Sequence, residues 1–197
     1  MMADGVNVAW PVPPDVVLAL ADVQLAHATD HDAAELFEAL DDPEVWTHVR
    51  GRPQSVDDVR ATIGDAPAQG RFMWVVRWGD RVVGTTSFLD ASPVDARLEI
   101  GFTTYAASCW GTRVNPACKL LLMTWSFEEA GFTRVQLKTD IRNLRSQRAI
   151  ERLGARQEGI LRRYQRRQDG SLRDTVMYSV IAEEWGAVKA GLERRAY

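Results

Sequence analysis

Three stretches carry residues whose types and spacing suit chemistry. In the first, Gly111, Arg113 and Asn115-Pro116 follow a β-rich run and precede an apolar segment with helical spacing. Asn115 reads as a helix N-cap and Pro116 as the first helical residue. A helix starting there offers free backbone N–H groups and the positive end of its dipole, which suit a phosphate or pyrophosphate. Gly111 allows close approach of the backbone, and Arg113 adds a charge-assisted bond. An ordinary strand-to-helix connection is the competing reading. In the second stretch, Asn143 reads as an N-cap and Ser146 follows one turn later on the same face; a cap followed by a solvated serine explains it equally. The third is a strand over residues 96–104 whose single acid is Glu99. Alternation puts Arg97, Glu99, Gly101 and Thr103 on one face and Leu98, Ile100 and Phe102 on the other.

The elements that must position these residues follow from periodicity and punctuation. Residues 23–28 read as a strand. A helix capped by Asp30 carries Ala33, Leu36, Phe37 and Leu40 and stops at Asp42-Pro43. Ser55 caps a second helix that reaches about residue 66. Strands over 72–78 and 81–89 meet at Gly79-Asp80, a two-residue hairpin turn, and 96–104 completes a meander. A loop over 105–114 leads to the third helix, which presents Leu120, Leu121, Trp125 and Phe127 and stops at Gly131. A strand over 135–139 and a helix over 143–153, closed by Gly154, come next. Strands over 157–166 and 172–181 meet at Asp169-Gly170, and a last helix covers about 182–193. The sequence shows no repeat or internal linker, so a single α/β domain is expected over 18–197, after a loose Pro-containing extension over 1–17.

Composition narrows the class. The chain has 197 residues, 46% apolar and 26% charged, and this excludes a disordered or low-complexity protein. It lacks the ~20 consecutive apolar residues of a membrane span and the basic start of a signal peptide, so a cytoplasmic protein is expected. Its two cysteines, Cys109 and Cys118, form no disulfide framework and no zinc motif. His27, His31 and His48 have no ligand spacing, so no metal is expected. Residues 1–70 carry a net charge of −10 and the remainder +7. The basic part suits a phosphorylated cofactor or a nucleic acid.

Strand, Gly-containing loop, the pattern RNxxSxxAIExLGA over 142–155 and the closing MYSV…EW occur in an order that resembles the GNAT superfamily of acyl-CoA-dependent N-acyltransferases. The RimJ/RimL-type branch is the most similar, and the resemblance runs from about Val23 to the end of the chain. It implies an α/β (α+β) fold with a mixed central sheet, helices on both faces, and a cleft where the strand of Phe102, Thr103 and Thr104 splays from a parallel neighbour at 135–139. The pantetheine arm of acetyl-CoA would lie in that cleft. Trp110, Gly111, Thr112, Arg113, Val114 and Asn115 would hold the pyrophosphate, and Asn143 would bond the pantetheine chain. Ser146 would sit near the thioester sulfur as general acid. The sequence departs from the usual loop, which carries Gln or Arg, then Gly, then Gly or Ala where Trp110, Arg113 and Asn115 stand. Arg113 would then neutralise phosphate charge. A Tyr common in the family is Ile150 here, leaving Ser146 as the acid.

The implied reaction is direct attack of a primary amine on acetyl-CoA in a ternary complex, without metal or covalent enzyme intermediate. Glu99 is the expected base; a strand-surface charge paired with an Arg is the alternative. Trp46 either lines the acceptor pocket or belongs to the core. The acceptor is a protein N-terminus, an amino-acid derivative or a small aminated metabolite. Two other readings stand beside the enzyme. One is an acyl-CoA sensor without turnover. The other is a nucleic-acid-associated protein using Arg162, Arg163, Arg166 and Arg167 around Tyr164, a run that also suits a solvated sheet edge or an acidic acceptor. A homodimer through a strand edge or the C-terminal helix is compatible with Trp185 and Tyr197.

Overall fold

A computed structural model describes residues 8–197. Its centre is an eight-stranded mixed sheet in the order β1-β2-β3-β4-β5-β6-β8-β7. The first five strands are β1 (Leu18–Leu20), β2 (Val23–His27), β3 (Phe72–Trp78), β4 (Arg81–Ser92) and β5 (Arg97–Tyr105); β6 (Arg134–Asp140), β7 (Arg156–Arg166) and β8 (Leu172–Ile181) follow. Every neighbouring pair is antiparallel except β5 and β6. A parallel pair needs a crossover, which α3 (Val114–Thr124) and the π-turn after it supply.

Alternation along β3 divides the core. Trp74 and Val76 join α3, α4 (Leu144–Leu153) and α5 (Ala182–Ala196) in one apolar cluster. Met73 and Val75 face the other way, against α1 (Ala33–Leu40) and α2 (Val56–Asp65). The helices therefore cover both faces of the mixed sheet, as the resemblance implies. No described helix is long and apolar enough to cross a membrane.

Several local expectations need correction. Asp32, not Asp30, organises the start of the first helical segment: its carboxylate accepts from Thr29 N–H at 2.8 Å and Thr29 Oγ1 at 3.0 Å. The third helix begins at Val114 with Arg113 as its cap, so Asn115 and Pro116 lie inside the first turn. The N-terminal segment is not loose from Val8 onward. Trp10 packs edge-on against Phe88, Trp125 and Phe132, and Val12 is buried; such aromatic contacts add to area burial. The expectation for the extension before Val8 lies outside the described residues. Trp185 is buried within the chain, where it stacks on Phe127 and donates Nε1–H to Glu128 at 2.7 Å.

Two features of the sheet shape the site. β5 and β6 pair only through Arg97–Arg134, Leu98–Val135 and Glu99–Gln136, and then part. β5 also carries a bulge, because Ser87 pairs with Gly101 whereas Thr85 pairs with Thr104, leaving one extra residue on β5. Phe102 takes a left-handed φ of 47° there and is 50% exposed. The bulge breaks the expected alternation: Phe102 leaves the face of Leu98 and Ile100, which stay buried. The crossing of β4 and β5 is close enough that a Cβ on Gly84 would overlap Thr104 O.

Candidate active site

A cavity of about 770 Å³ opens where β5 and β6 part. Its walls bring together Glu99, the bulge Phe102–Thr104, Trp110, Gly111, Asn115, Asn143 and Ser146. Trp46, from the α1–α2 connection, closes another side. Its indole N–H donates to Leu40 O at 2.8 Å, so the ring is both anchored and cavity-lining.

Glu99 stands at the fork and is 1% exposed. Its partner is not an Arg but Lys138, whose Nζ lies 2.8 Å from Oε2; Gln136 Nε2 lies 3.3 Å from the same oxygen. Burial pushes the Glu99 carboxyl above its ordinary range, and Lys138 opposes the shift without cancelling it. For Lys138 burial works downward, but Glu99 together with Tyr164 and Asp90 outweighs it and the ammonium is held more firmly than usual. Gly101 makes room for the carboxylate, since a Cβ there would lie 2.9 Å from Glu99 Oε1.

The expected phosphate loop is only partly in place. Trp110, Gly111 and Asn115 border the cavity, and the first amides of α3 have no carbonyl one turn back to bond. Thr112 turns its hydroxyl to Cys109 O at 2.7 Å, and Val114 is buried in the core. Arg113 is directed elsewhere: it pairs with Asp22 in the β1–β2 turn and donates to Ala196 O at 3.2 Å. The cation beside this loop at the cavity is instead Arg145, stacked 3.4 Å over the Trp110 ring. Asn143 does cap its helix, accepting from Ser146 N–H at 3.0 Å through Oδ1. That leaves its amide NH₂ as the donor.

Sequence reasoning passed over Arg71, Lys119, Lys138, Arg145 and Arg173, which also line the cavity. A signal existed for Lys119: it falls among Ala117, Cys118, Leu120 and Leu122, all buried on α3. It is 4% exposed, its Nζ donates to Thr103 Oγ1 at 3.1 Å, and burial pulls its pKa down to about 8. Among the described residues no group of three His, Cys, Asp or Glu side chains could hold a metal.

An acyl-CoA arm fits these surroundings. The edge of β5 beyond Glu99 has lost its strand partner. The buried Thr104 hydroxyl on that stretch has no hydrogen-bond partner, although buried polar groups are nearly always satisfied.

The family model for the acetyltransferase (GNAT) domain matches residues 22–156. The uncharacterized N-acetyltransferase p20 of Bacillus licheniformis is 27% identical over 161 residues, covering 78% of this chain and 89% of p20. A T. thermophilus crystal structure assigned as an acetyltransferase is 37% identical and superposes with a TM-score of 0.87, over 96% of this chain and 100% of that one. The microcin C7 self-immunity acetyltransferase MccE, solved with acetyl-CoA and AMP, shares the fold at 17% identity and a TM-score of 0.74, over 81% of this chain and 92% of its own. The chain belongs to the GNAT acetyltransferase family. By class it is an acetyl-CoA-dependent acyltransferase.

Proposed function

We propose that the protein is a cytoplasmic N-acetyltransferase of RimJ/RimL type that moves an acetyl group from acetyl-CoA to a primary amine in a ternary complex. The acceptor is a protein N-terminus, an amino-acid derivative or a small aminated metabolite. The observation that carries this reading is the fork itself: β5 and β6 stop pairing at Glu99–Gln136, and a buried carboxylate stands where they part.

Acetyl-CoA supplies an acyl group already activated as a thioester. The free edge of β5 at Phe102–Thr104, the Thr104 hydroxyl and the Asn143 amide would hold its arm. The start of α3 with Trp110 and Gly111, together with Arg145, would meet its phosphates. Glu99 takes the proton of the attacking amine, directly or through one water. Amines with pKa of about 8–10 are mostly protonated at pH 7 and cannot attack in that form. Burial makes Glu99 a stronger base than a solvated carboxylate, and Lys138 favours its ionised form. A backbone N–H of the β5 bulge supports the oxygen that gains negative charge. Ser146 donates a hydrogen bond to the sulfur that departs as thiolate, a modest contribution because a thiol pKa near ~8.5 already makes an adequate leaving group. Trp46 walls the acceptor side.

Calorimetric titration with acetyl-CoA, CoA and ATP tests the reading, followed by an amine panel scored by thiol release. Micromolar acetyl-CoA and CoA, weak ATP and thiol release with at least one amine are expected. No acetyl-CoA binding at millimolar concentration overturns it. Binding without turnover of any amine would favour the sensor, which Arg113 and Ile150, at positions where the family usually has other residues, support. The nucleic-acid reading has less support, since Arg167 is committed to buried Asp140 at 2.6 Å.

A further inference from the structure

Acetyl transfer leaves Arg71 unexplained. This residue, immediately before β3, is 9% exposed and donates Nε–H to Ser87 Oγ at 2.8 Å. Its guanidinium carbon lies 4.6 Å from the centroid of the Phe102 ring. A hydroxyl and a ring face are weak compensation for a buried cation. No described carboxylate pairs with it, and burial alone draws its pKa down to about 10. A guanidinium has five N–H donors, and the Nε–H is the one given to Ser87. The group borders the main cavity and an adjoining one of about 320 Å³.

That smaller cavity marks where Arg71 stands. Its walls include Phe102, Asp90, Lys138 and Tyr164, and no residue of the loop at 110–115 or of the α4 start. Arg71 is therefore at the end away from the groups assigned to the CoA phosphates. The acids of this corner are already met: Lys138 lies 2.8 Å from Glu99 and 3.5 Å from Asp90. Arg173 adds a further half-buried cation to the main cavity, with Nε–H donated to Thr175 Oγ1 at 2.9 Å. The nearby Asp140 is taken by Arg167. The corner thus holds surplus positive charge beside the proposed base.

We infer that the amine acceptor carries an anionic oxyacid group, carboxylate or phosphate, and that Arg71 is the residue that reads it. This rests on the acetyltransferase reading above. The planar guanidinium fork matches either oxyacid with two parallel hydrogen bonds. An acceptor with its amine at Glu99, which Lys138 already pairs, brings its anion to Arg71 as the counter-charge that Arg71 lacks. An acceptor without the anion leaves Arg71 desolvated and unpaired, which is the arrangement that gives large discrimination.

The test uses matched amines: amino carboxylates against their carboxamides, and amino-alkyl phosphates against the parent amino alcohols. Wild type, Arg71→Gln, Arg71→Lys and Ser87→Ala are compared by kcat/KM, with acetyl-CoA affinity measured separately by calorimetry. Binding of the same acids and of inorganic phosphate is measured without donor. Wild type is expected to prefer the acids by at least tenfold. Arg71→Gln should bring that ratio close to one through KM, with acetyl-CoA affinity retained. Arg71→Lys and Ser87→Ala should fall between. The relative strength of carboxylates and phosphates identifies which oxyacid is read. Equal use of acids and neutral partners by wild type overturns the inference, as does an unchanged ratio in a folded Arg71→Gln. If no amine reacts, the binding arm decides, and anion affinity that ignores Arg71 overturns it. Failure to bind acetyl-CoA sinks the proposed function separately.

Discussion

Lys138 Nζ and Glu99 Oε2 form an ion pair of 2.8 Å across the point where their two strands separate. Both side chains are largely buried, so removing one partner leaves a charge in a poorly solvated place. Glu99→Gln should lower kcat at least ~10²-fold, the lower range for loss of a general base, while acetyl-CoA affinity stays within about twofold. Full activity in this variant would remove Glu99 from the mechanism.

The same pair sets a pH limit. A base works deprotonated, so activity falls as pH drops through its pKa. Burial raises the Glu99 pKa and Lys138 opposes this. The acid limb of kcat/KM should therefore lie above the ~4.3 of a free glutamate. Lys138→Met removes the opposing charge and should move the limb higher still. A pH–rate profile in which that limb moves down would contradict the assignment.

Lys119 gives a stability prediction. Its pKa in the fold, about 8, lies below the unfolded value. The contribution of such a group is complete above the unfolded pKa and is lost as pH falls through about 8. Melting temperature relative to Lys119→Met should therefore rise between pH 7 and 10. At pH 7 the Met variant should be the more stable. Parallel melting curves across that range would show that Lys119 is not held in the way its burial implies.

Arg145 rather than Arg113 should fill the phosphate-binding role that the sequence suggested for Arg113. Arg145→Ala is expected to weaken acetyl-CoA about tenfold, or ~1.4 kcal/mol. Arg113→Ala should change affinity less than about threefold, because its side chain is already held by Asp22 and Ala196 O. Calorimetry on both variants decides, and the reverse order would restore the loop arginine as the phosphate ligand.

Gly101→Ala tests the room given to Glu99. The new Cβ would meet Oε1 at 2.9 Å and Leu89 Cδ2 at 3.2 Å. Turnover should fall more than tenfold, with a melting temperature lowered only modestly. A fully active variant would mean the carboxylate can be displaced without cost to the chemistry.

Much of the architecture could be read from the chain because its signals are local. Gly79-Asp80 between two β-rich runs predicts the β3–β4 turn, and Asn143 with Gly154 brackets α4. Contacts between distant residues were not readable. β1 has three residues, too few for a period. The bulge at Phe102 depends on how β4 and β5 align, so simple alternation misplaced that ring. Asn115-Pro116 looks like a helix start, yet the helix begins two residues earlier, where Val114 gains core burial. For the candidate site, Glu99, Asn143 and Ser146 stood out by their surroundings in the sequence. Arg71 and Lys138 did not, since one looks like an ordinary charge before a strand and the other like one on a strand until the fold brings them to the cavity. Arg113 is the converse case: its partner Asp22 lies far away along the chain.

The brief β5–β6 ladder has a mechanical meaning. Three rungs join a five-strand half-sheet to a three-strand one. A ligand chain seated between the halves would stand in for the missing rungs. Such a ligand binds the folded form alone, adding about 2.7 kcal/mol at a hundred times its Kd. The part of the molecule it stiffens is the seam, so amide exchange along β5 and β6 should slow together when the donor enters. The donor would then serve as a temporary strand as well as a reagent.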